Sequence, residues 1–245
     1  QYVGRTTERD ARNQMMSDLQ IPAIDLITGT IFVLCWFGYG FVAKLIAQRR
    51  PSMMATVRGF RQRWIERMAE RDNHIADAAL IIKLLRGALF FASTTVFILG
   101  GLAALLGTVP TVAVVISNLP YTAPAEPRLA EIKALIMILL FIYAFFKFSW
   151  SAWQYNILSI VVGAMPALGT EAAVRASYVA AGGRIVGLAG ESYNNGVRAY
   201  YFAIPLMAWF LNPFLCSAAA LAVTVVIYRR EFYSPVLSAL KHVAH

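Results

Sequence analysis

Four long apolar segments separate the charged residues of this 245-residue chain into blocks. They are residues 21–46, 78–109, 132–153 and 199–227. A helix that crosses about 30 Å of hydrocarbon needs roughly 20 apolar residues, and each segment meets that length. Because 59% of the residues are apolar and only 14% are charged, a single soluble core would not hold them all. The sequence therefore predicts an all-α fold, a polytopic transmembrane helix bundle of four spans.

The last apolar segment is interrupted by Asn212 and Pro213, which leaves two interpretations open. Each half would rise only about 20 Å at 1.5 Å per residue, so neither half spans a membrane alone. The segment is then either one tilted helix kinked at the proline or a re-entrant hairpin that turns there. In both cases residues 21–234 form one transmembrane domain between a polar N-terminal tail, 1–20, and a C-terminal tail, 235–245.

Positive charges in the connections predict the orientation of the bundle, because cytoplasmic loops carry an excess of Lys and Arg. With four spans, the first and third connections share one side and together hold 13 positive charges. The two tails and the second connection hold seven. We therefore expect a bacterial inner-membrane protein with its basic loop in the cytoplasm and both termini outside. Arg229 and Arg230 argue against this arrangement, since a re-entrant last segment would move them inward.

Residues 52–71 of the basic loop carry apolar side chains at helical spacing, with arginines on the other faces. A helix of this kind commonly lies in the headgroup plane of a membrane. Alternatively, its apolar stripe packs on the protein's own bundle or on a partner subunit. The candidate contacts to anionic lipid headgroups or to a partner are Arg58, Arg61, Trp64, Arg67, Arg229 and Arg230.

The third apolar segment carries the strongest candidate for a polar site at membrane depth. Ionisable residues within a span are costly and are therefore candidates for function. Tyr143, Lys147 and Gln154 share one helical face, and Asn156 lies on a second polar stripe beside it. One interpretation is a pocket in which Lys147 meets a carboxylate, an anionic substrate or a headgroup. The other places Lys147 near the interface, where a lysine extends its amino group into the headgroup region.

No arrangement of residues in the sequence predicts catalysis, a metal site or a cofactor. Cys35 and Cys216 each lie inside an apolar segment, where a thiol usually behaves as a small hydrophobe. The three histidines have no Cys, His or carboxylate at ligand spacing. We also expect no binding to nucleic acid, because acidic residues alternate with the arginines of the basic loop and the membrane accounts for the charge.

Several ordered motifs are more specific than an apolar composition requires. They are LCWFGY (34–39), FFKFSWS (145–151), QYN (154–156), SYNNGVRAYYFA (192–203), AWFLNP (208–213) and YRREF (228–232). With these motifs the chain resembles the integral membrane family called domain of unknown function 599, over nearly its whole length. The family has a basic residue before the Gln, where this chain has Trp153. The resemblance implies no reaction; it gives weight to Asn195, Arg198 and Tyr200, either as a site or as caps and interface anchors.

These features favour an integral membrane protein without a catalytic site, acting as an accessory or scaffolding subunit. Such a subunit would pack against lipid and against other membrane proteins or further copies of itself. The alternative is a small-solute or ion transporter or channel component, which with only four spans would work as an oligomer. A membrane enzyme that acts on lipid ranks last, because the sequence shows no nucleophile or set of metal ligands.

Overall fold

The computed structural model describes residues 22–108 and 127–243, and every regular element in these ranges is a helix. The helices are α1 (Ala23–Ala47), α2 (Met53–Ala69), α3 (Ile75–Leu106), α4 (Pro127–Gly163), α5 (Ala172–Leu211), α6 (Pro213–Phe232) and α7 (Pro235–Val243). Helix α1 contains one π-helical turn at Leu34–Gly38. The all-α fold is therefore confirmed. The predicted N-terminal tail, 1–20, lies outside the described residues.

Four helical stretches in the described chain are long and apolar enough to cross a membrane, which agrees with the predicted number of spans. They are α1, α3, α4 and the stretch formed by α6 and α7, so the fourth begins at Pro213 instead of at residue 199, and α5 is not among them. Large apolar side chains point outward from these helices, among them Phe37, Phe97, Phe146 and Phe214, each at least 64% exposed. A soluble monomer rarely exposes apolar surface on this scale, whereas a lipid environment covers it. The length, composition and exposed apolar surface of these helices indicate a multi-pass membrane protein.

The chain reverses direction at Asn212, between α5 and α6. Asn212 has an extended backbone, and its side chain accepts a hydrogen bond of 2.8 Å from the backbone N–H of Phe214. Arg230 donates a hydrogen bond of 2.9 Å to the hydroxyl of Tyr201, 29 residues earlier. In one continuous helix these residues would be about 44 Å apart. The two helices are therefore antiparallel, and the interpretation of residues 199–227 as one kinked helix is wrong.

The alternative, a reversal at Asn212 and Pro213, predicted the turn correctly but not the length of its two arms. Helix α5 has 40 residues and α6 has 20, so neither arm is a short re-entrant half. The turn forms because proline lacks a backbone N–H and disfavours helical geometry in the residue before it. The length of α5 was missed because its first half is rich in polar and small residues and lacks the long apolar run that marks a span.

The described chain runs along the bundle five times, in α1, α3, α4, α5 and α6. At one end, which we call the distal end, Asp25 of α1 meets Lys133 of α4 and Trp209 of α5. At the other, the basic end, the carboxylate of Glu231 accepts a hydrogen bond of 3.0 Å from the backbone N–H of Met54. The start of α1 and the end of α6 thus lie at opposite ends. The prediction that both termini share one side of a membrane stays a prediction; along the bundle itself, α5 adds a fifth run that separates these two ends.

Helix α2 packs on α5 at the basic end through a stripe of glycines. Ile65 and Met68 of α2 are fully buried, and a Cβ atom at Gly182 would lie only 3.1 Å from the Ile65 side chain. The side chain of Gln62 occupies the space that a Cβ at Gly183 would take. The apolar face of α2 therefore packs on the protein's own bundle, as one of the two interpretations proposed.

Candidate functional site

A cavity of about 770 Å³ opens at the basic end, between α1, α2, α5 and α6. We call it the basic cavity because five cationic side chains line it, against two carboxylates, Glu191 and Glu231. The cationic residues are Lys44, Arg58, Arg61, Arg198 and Arg230. Its volume lies within the range of roughly 300–1,000 Å³ that is usual for ligand pockets. Charge and size together make it the best candidate for a binding site in the described chain.

Both carboxylates of the basic cavity already have partners. Glu191 lies 3.3 Å from the guanidinium of Arg58, and both side chains are partly open to solvent. Glu231 accepts the backbone N–H of Met54 in the first turn of α2, and the Ser52 hydroxyl accepts the N–H of Ala55 at 3.1 Å. A helix N-terminus favours a negative charge, so Glu231 stabilises the start of α2. Neither carboxylate balances the remaining cations of the cavity.

Arg198 reaches the cavity from the middle of α5. Its guanidinium carbon lies 5.5 Å from the centre of the Trp36 ring, and the Tyr143 hydroxyl is a further neighbour. A Cβ at Gly40 would lie 3.3 Å from Nη1 of the arginine, so only glycine leaves this approach open without displacement. Trp36 belongs to the π-helical turn of α1, and such turns are frequent at functional sites.

No carboxylate in the described ranges forms an ion pair with Arg198, and its buried Nε atom has no hydrogen-bond partner there. The face of Trp36 offers a partial negative charge, but an aromatic ring does not neutralise a guanidinium. The Arg198 guanidinium therefore lacks a counter-charge among the residues that the structure describes. This is the strongest electrostatic feature of the cavity.

Helices α5 and α6 complete the cavity with neutral polar groups. Asn195 lines it, and the neighbouring Asn194 amide contacts the sulfur of Met54. Arg230 donates to the hydroxyl of Tyr201, which holds its guanidinium at the rim. Of the candidate residues predicted from the sequence, the cavity therefore brings together Arg58, Arg61, Asn195, Arg198 and Arg230.

The polar face predicted on the third apolar segment does not form one pocket. The Lys147 amino group lies 5.5 Å from the centre of the Tyr143 ring, and Lys147 does not line the basic cavity. Gln154 is buried and accepts a hydrogen bond of 3.1 Å from the Ser192 hydroxyl. Asn156 is exposed. Helical spacing places Tyr143, Lys147 and Gln154 on one face of α4, but that face meets different neighbours along its length.

The other predicted residues make separate contacts. Tyr200 shares a hydrogen bond of 2.9 Å with Thr95, away from the cavity. The Trp64 indole donates to the buried carboxylate of Asp77 at 2.8 Å. Arg67 pairs with Glu70 on an exposed surface, and Arg229 is exposed. These residues are not part of the basic cavity.

Sequence reasoning missed one buried polar cluster, at the distal end. The Lys133 amino group lies 3.0 Å from the carboxylate of Asp25, and the Trp209 indole donates to the same carboxylate at 2.7 Å. Lys133 is the second residue of the third apolar segment. An ionisable residue within such a segment could have been predicted to have a buried partner. No group of His, Cys, Asp and Glu in the described residues is arranged to hold a metal ion.

A comparison with protein families confirms the family resemblance that the sequence motifs indicated. The family model described as "Protein of unknown function, DUF599" matches residues 27–236. The chain belongs to this family. All residues of the basic cavity lie inside the range that the DUF599 model matches. Neither a curated protein nor a solved structure matches the chain.

Proposed function

We propose that this multi-pass membrane protein binds an anionic ligand in the basic cavity. The observation that carries the proposal is a single cavity with five cationic side chains and two carboxylates, both of which are already engaged. Arg198 is the central residue, because its guanidinium has no counter-charge among the described residues. An anion would supply that charge, and hydrogen bonds between arginine and an anion are stronger than neutral ones.

The proposed orientation has the basic end in the cytoplasm of a bacterial inner membrane. The reversal at Asn212 supports it, because it brings Arg229 and Arg230 to the same end as the arginines of α2. Arg229 and Arg230 then no longer argue against the positive-inside rule, because they lie at the same end as the basic loop. In this proposal the protein is a binding or accessory subunit and not an enzyme. Its expected partners are anionic lipid headgroups and other membrane protein subunits or further copies of the chain.

Thermal unfolding of the full chain in detergent tests anion binding directly. Inorganic phosphate, glycerol 3-phosphate and citrate should each be titrated, with choline as a cationic control. A ligand that binds only the folded state adds about 2.7 kcal/mol of stability at one hundred times its Kd, enough to raise the unfolding midpoint by several degrees. We expect at least one anion to produce this rise and choline to produce none.

Two variants locate the binding site. Arg198→Gln and Arg61→Gln should each weaken the binding of that anion about tenfold or more, because a charged hydrogen bond is lost. Arg67→Gln is the matched control, since Arg67 is exposed, pairs with Glu70 and lies outside the cavity. The proposal fails if no anion stabilises the native chain, or if all three variants respond to it equally.

A further inference from the structure

Two arginines of the basic cavity lie at different depths of the bundle. The guanidinium of Arg61 occupies the space beside Gly190 of α5, where a Cβ atom would otherwise lie. Arg198 belongs to the same continuous helix and follows Gly190 by eight residues. At a rise of 1.5 Å per residue, Gly190 and Arg198 are about 12 Å apart along the axis of α5. The distance between the two guanidinium groups then depends on the direction in which the Arg198 side chain extends.

The packing of α1 on α5 shows where the Arg198 guanidinium lies. The centres of the Trp36 and Phe202 rings are 5.0 Å apart, so these two residues face each other across the two helices. Gly40 follows Trp36 by four residues, and Arg198 precedes Phe202 by four; because α1 begins and α5 ends at the distal end, these two positions are level. A Cβ atom at Gly40 would lie 3.3 Å from Nη1 of Arg198. The guanidinium therefore stays level with its own Cα atom and does not extend back toward Gly190.

Neither Arg61 nor Arg198 has a carboxylate partner in the described part of the chain. The other arginines of the cavity are engaged: Arg58 lies 3.3 Å from Glu191, and a tyrosine hydroxyl accepts a hydrogen bond from Arg230. A hydrogen bond from arginine to an anion is about 2.7–2.9 Å long. A single phosphate group is therefore too small to touch two guanidinium groups whose levels are about 12 Å apart. Each of the two arginines needs an anionic group of its own.

The wall of α5 between these two levels carries neutral polar groups. Asn194 and Asn195 line the cavity there, and both are about one helical turn from the level of either arginine. Their amides donate and accept hydrogen bonds but carry no charge. A molecule that extends from Arg61 to Arg198 thus passes groups that suit the oxygen atoms of an uncharged polar segment.

From these observations, and resting on the anion binding proposed above, we infer that the ligand is an elongated molecule with an anionic group at each end. Arg61 binds one of these groups, Arg198 binds the other, and the asparagine amides face the uncharged middle. The cavity volume of about 770 Å³ lies in the range that holds ligands larger than a single ion. Among the three anions of the titration above, only citrate has carboxylates at both ends, so citrate is the one that should depend on both arginines.

Three anions separate the spacing of the charges from their number: fructose 1,6-bisphosphate, pyrophosphate and fructose 6-phosphate. Pyrophosphate is also multiply charged, but its two phosphate groups share one oxygen atom. Fructose 6-phosphate has the same sugar and only one anionic end. Binding to the full chain in detergent is measured by isothermal titration calorimetry. We expect the bisphosphate to bind about 10- to 100-fold more tightly than either of the others, because only its two ends reach both arginines.

Single and double variants test whether the two arginines bind separate groups. Arg61→Gln and Arg198→Gln should each weaken binding of the bisphosphate about 10- to 100-fold, and their effects on the binding free energy should add in the double variant. Fructose 6-phosphate can use either arginine, so it should lose little affinity in each single variant and most of it in the double variant. Arg67→Gln is again the control. If a glutamine variant lowers the unfolding midpoint of the free protein, Arg61→Lys and Arg198→Lys should show the same pattern with smaller losses, since lysine keeps the charge without the planar fork.

The outcomes distinguish a ligand with two anionic ends from anion binding in general. Equal affinity for the bisphosphate and for fructose 6-phosphate, or equal or tighter binding of pyrophosphate, overturns the two-ended ligand and leaves anion binding in place. Non-additive effects of Arg61→Gln and Arg198→Gln on the bisphosphate also overturn it, because they would show that both arginines hold one anionic group. Absence of binding by all three anions overturns the two-ended ligand and, together with no stabilisation in the titration above, anion binding as well.

Discussion

Lys133 joins three helices at the distal end. Its amino group lies 3.0 Å from the carboxylate of Asp25 on α1 and donates a hydrogen bond of 3.2 Å to the carbonyl oxygen of Trp209 in the last turn of α5. Lys133 is 8% exposed and Asp25 is 5% exposed. A C-terminal carbonyl of a helix favours a cation, and Asp25 supplies the counter-charge that makes burial of the amino group tolerable. The cluster is complete in itself and adjoins the turn at Asn212, which indicates a structural role.

Removal of one partner of this ion pair should be more harmful than removal of both. Lys133→Met leaves the Asp25 carboxylate buried without its partner, and we expect a loss of about 3 kcal/mol in the free energy of unfolding. Combining Lys133→Met with Asp25→Asn should recover part of that loss, because no uncompensated charge remains. Unfolding midpoints in detergent measure the cycle, and Lys83→Met, at an exposed lysine of α3, is the control. Strictly additive effects would contradict direct coupling.

The same scale shows what residue patterns can and cannot predict about the site. The sequence singled out Arg58 and Arg61 as headgroup contacts and Arg198 as a cap or a site residue, on separate grounds. They line the same cavity because α2 packs across α5. The spacing of residues within either helix gives no information about that packing. Lys147 was the strongest candidate because the sequence shows that it lies within an apolar segment. The sequence does not show which side chains of other helices surround it.

The packing of α4 on α5 depends on a glycine that meets an aromatic ring. Phe148 is fully buried, and a Cβ at Gly196 would lie 2.7 to 2.9 Å from three of its ring carbons. Phe91 of α3 stacks on a face of the same ring, with the two ring centres 5.0 Å apart. The ring is therefore fixed between two helices and does not shift without disturbing both.

Gly196→Ala should destabilise the bundle although alanine is the better helix former. Intrinsic propensity favours alanine by about 1 kcal/mol, whereas overpacking a filled core usually costs about 1–3 kcal/mol. We expect a lower unfolding midpoint for Gly196→Ala and an unchanged or higher one for Gly87→Ala, since nothing lies within 4 Å of a Cβ at Gly87. Addition of Phe148→Leu should relieve part of the Gly196→Ala effect. Equal midpoints for the two glycine variants would show that the contact does not matter.

Among the helices, those with a long apolar run or a regular spacing of apolar residues could be predicted from the sequence. The four apolar segments stand out because lipid covers them, and α2 stands out because its apolar residues recur at helical spacing. Helix α5 does not stand out over its first half, because α2 and α4 cover its glycines and small residues. The sequence left both a kinked helix and a reversal at Asn212 open. The contact between Tyr201 and Arg230 in the structure distinguishes them.

Across the described part of the molecule, five helices run along the bundle, and α6 brings Arg229 and Arg230 to the end that holds the arginines of α2. The four-span prediction divided them between the two sides, with Arg229 and Arg230 opposite the basic loop. In the structure Arg50 donates a hydrogen bond of 2.8 Å to the hydroxyl of Tyr233, so the end of α6 lies beside the end of α1. Helix α7 then packs against α2 at the basic end. The basic cavity depends on the reversal between α5 and α6, which brings α6 to α2.

Cysteine labelling of the protein in oriented membranes tests this topology. Asn73→Cys lies between α2 and α3, Ser238→Cys lies on α7 and Thr108→Cys follows α3; all three positions are exposed. With five passes, a membrane-impermeant maleimide should label Asn73→Cys and Ser238→Cys from one side and Thr108→Cys from the other. With four passes, Ser238→Cys would instead react on the side of Thr108→Cys, and the antiparallel arrangement of α5 and α6 would be wrong. The native chain serves as the blank, because its own cysteines, Cys35 and Cys216, are buried.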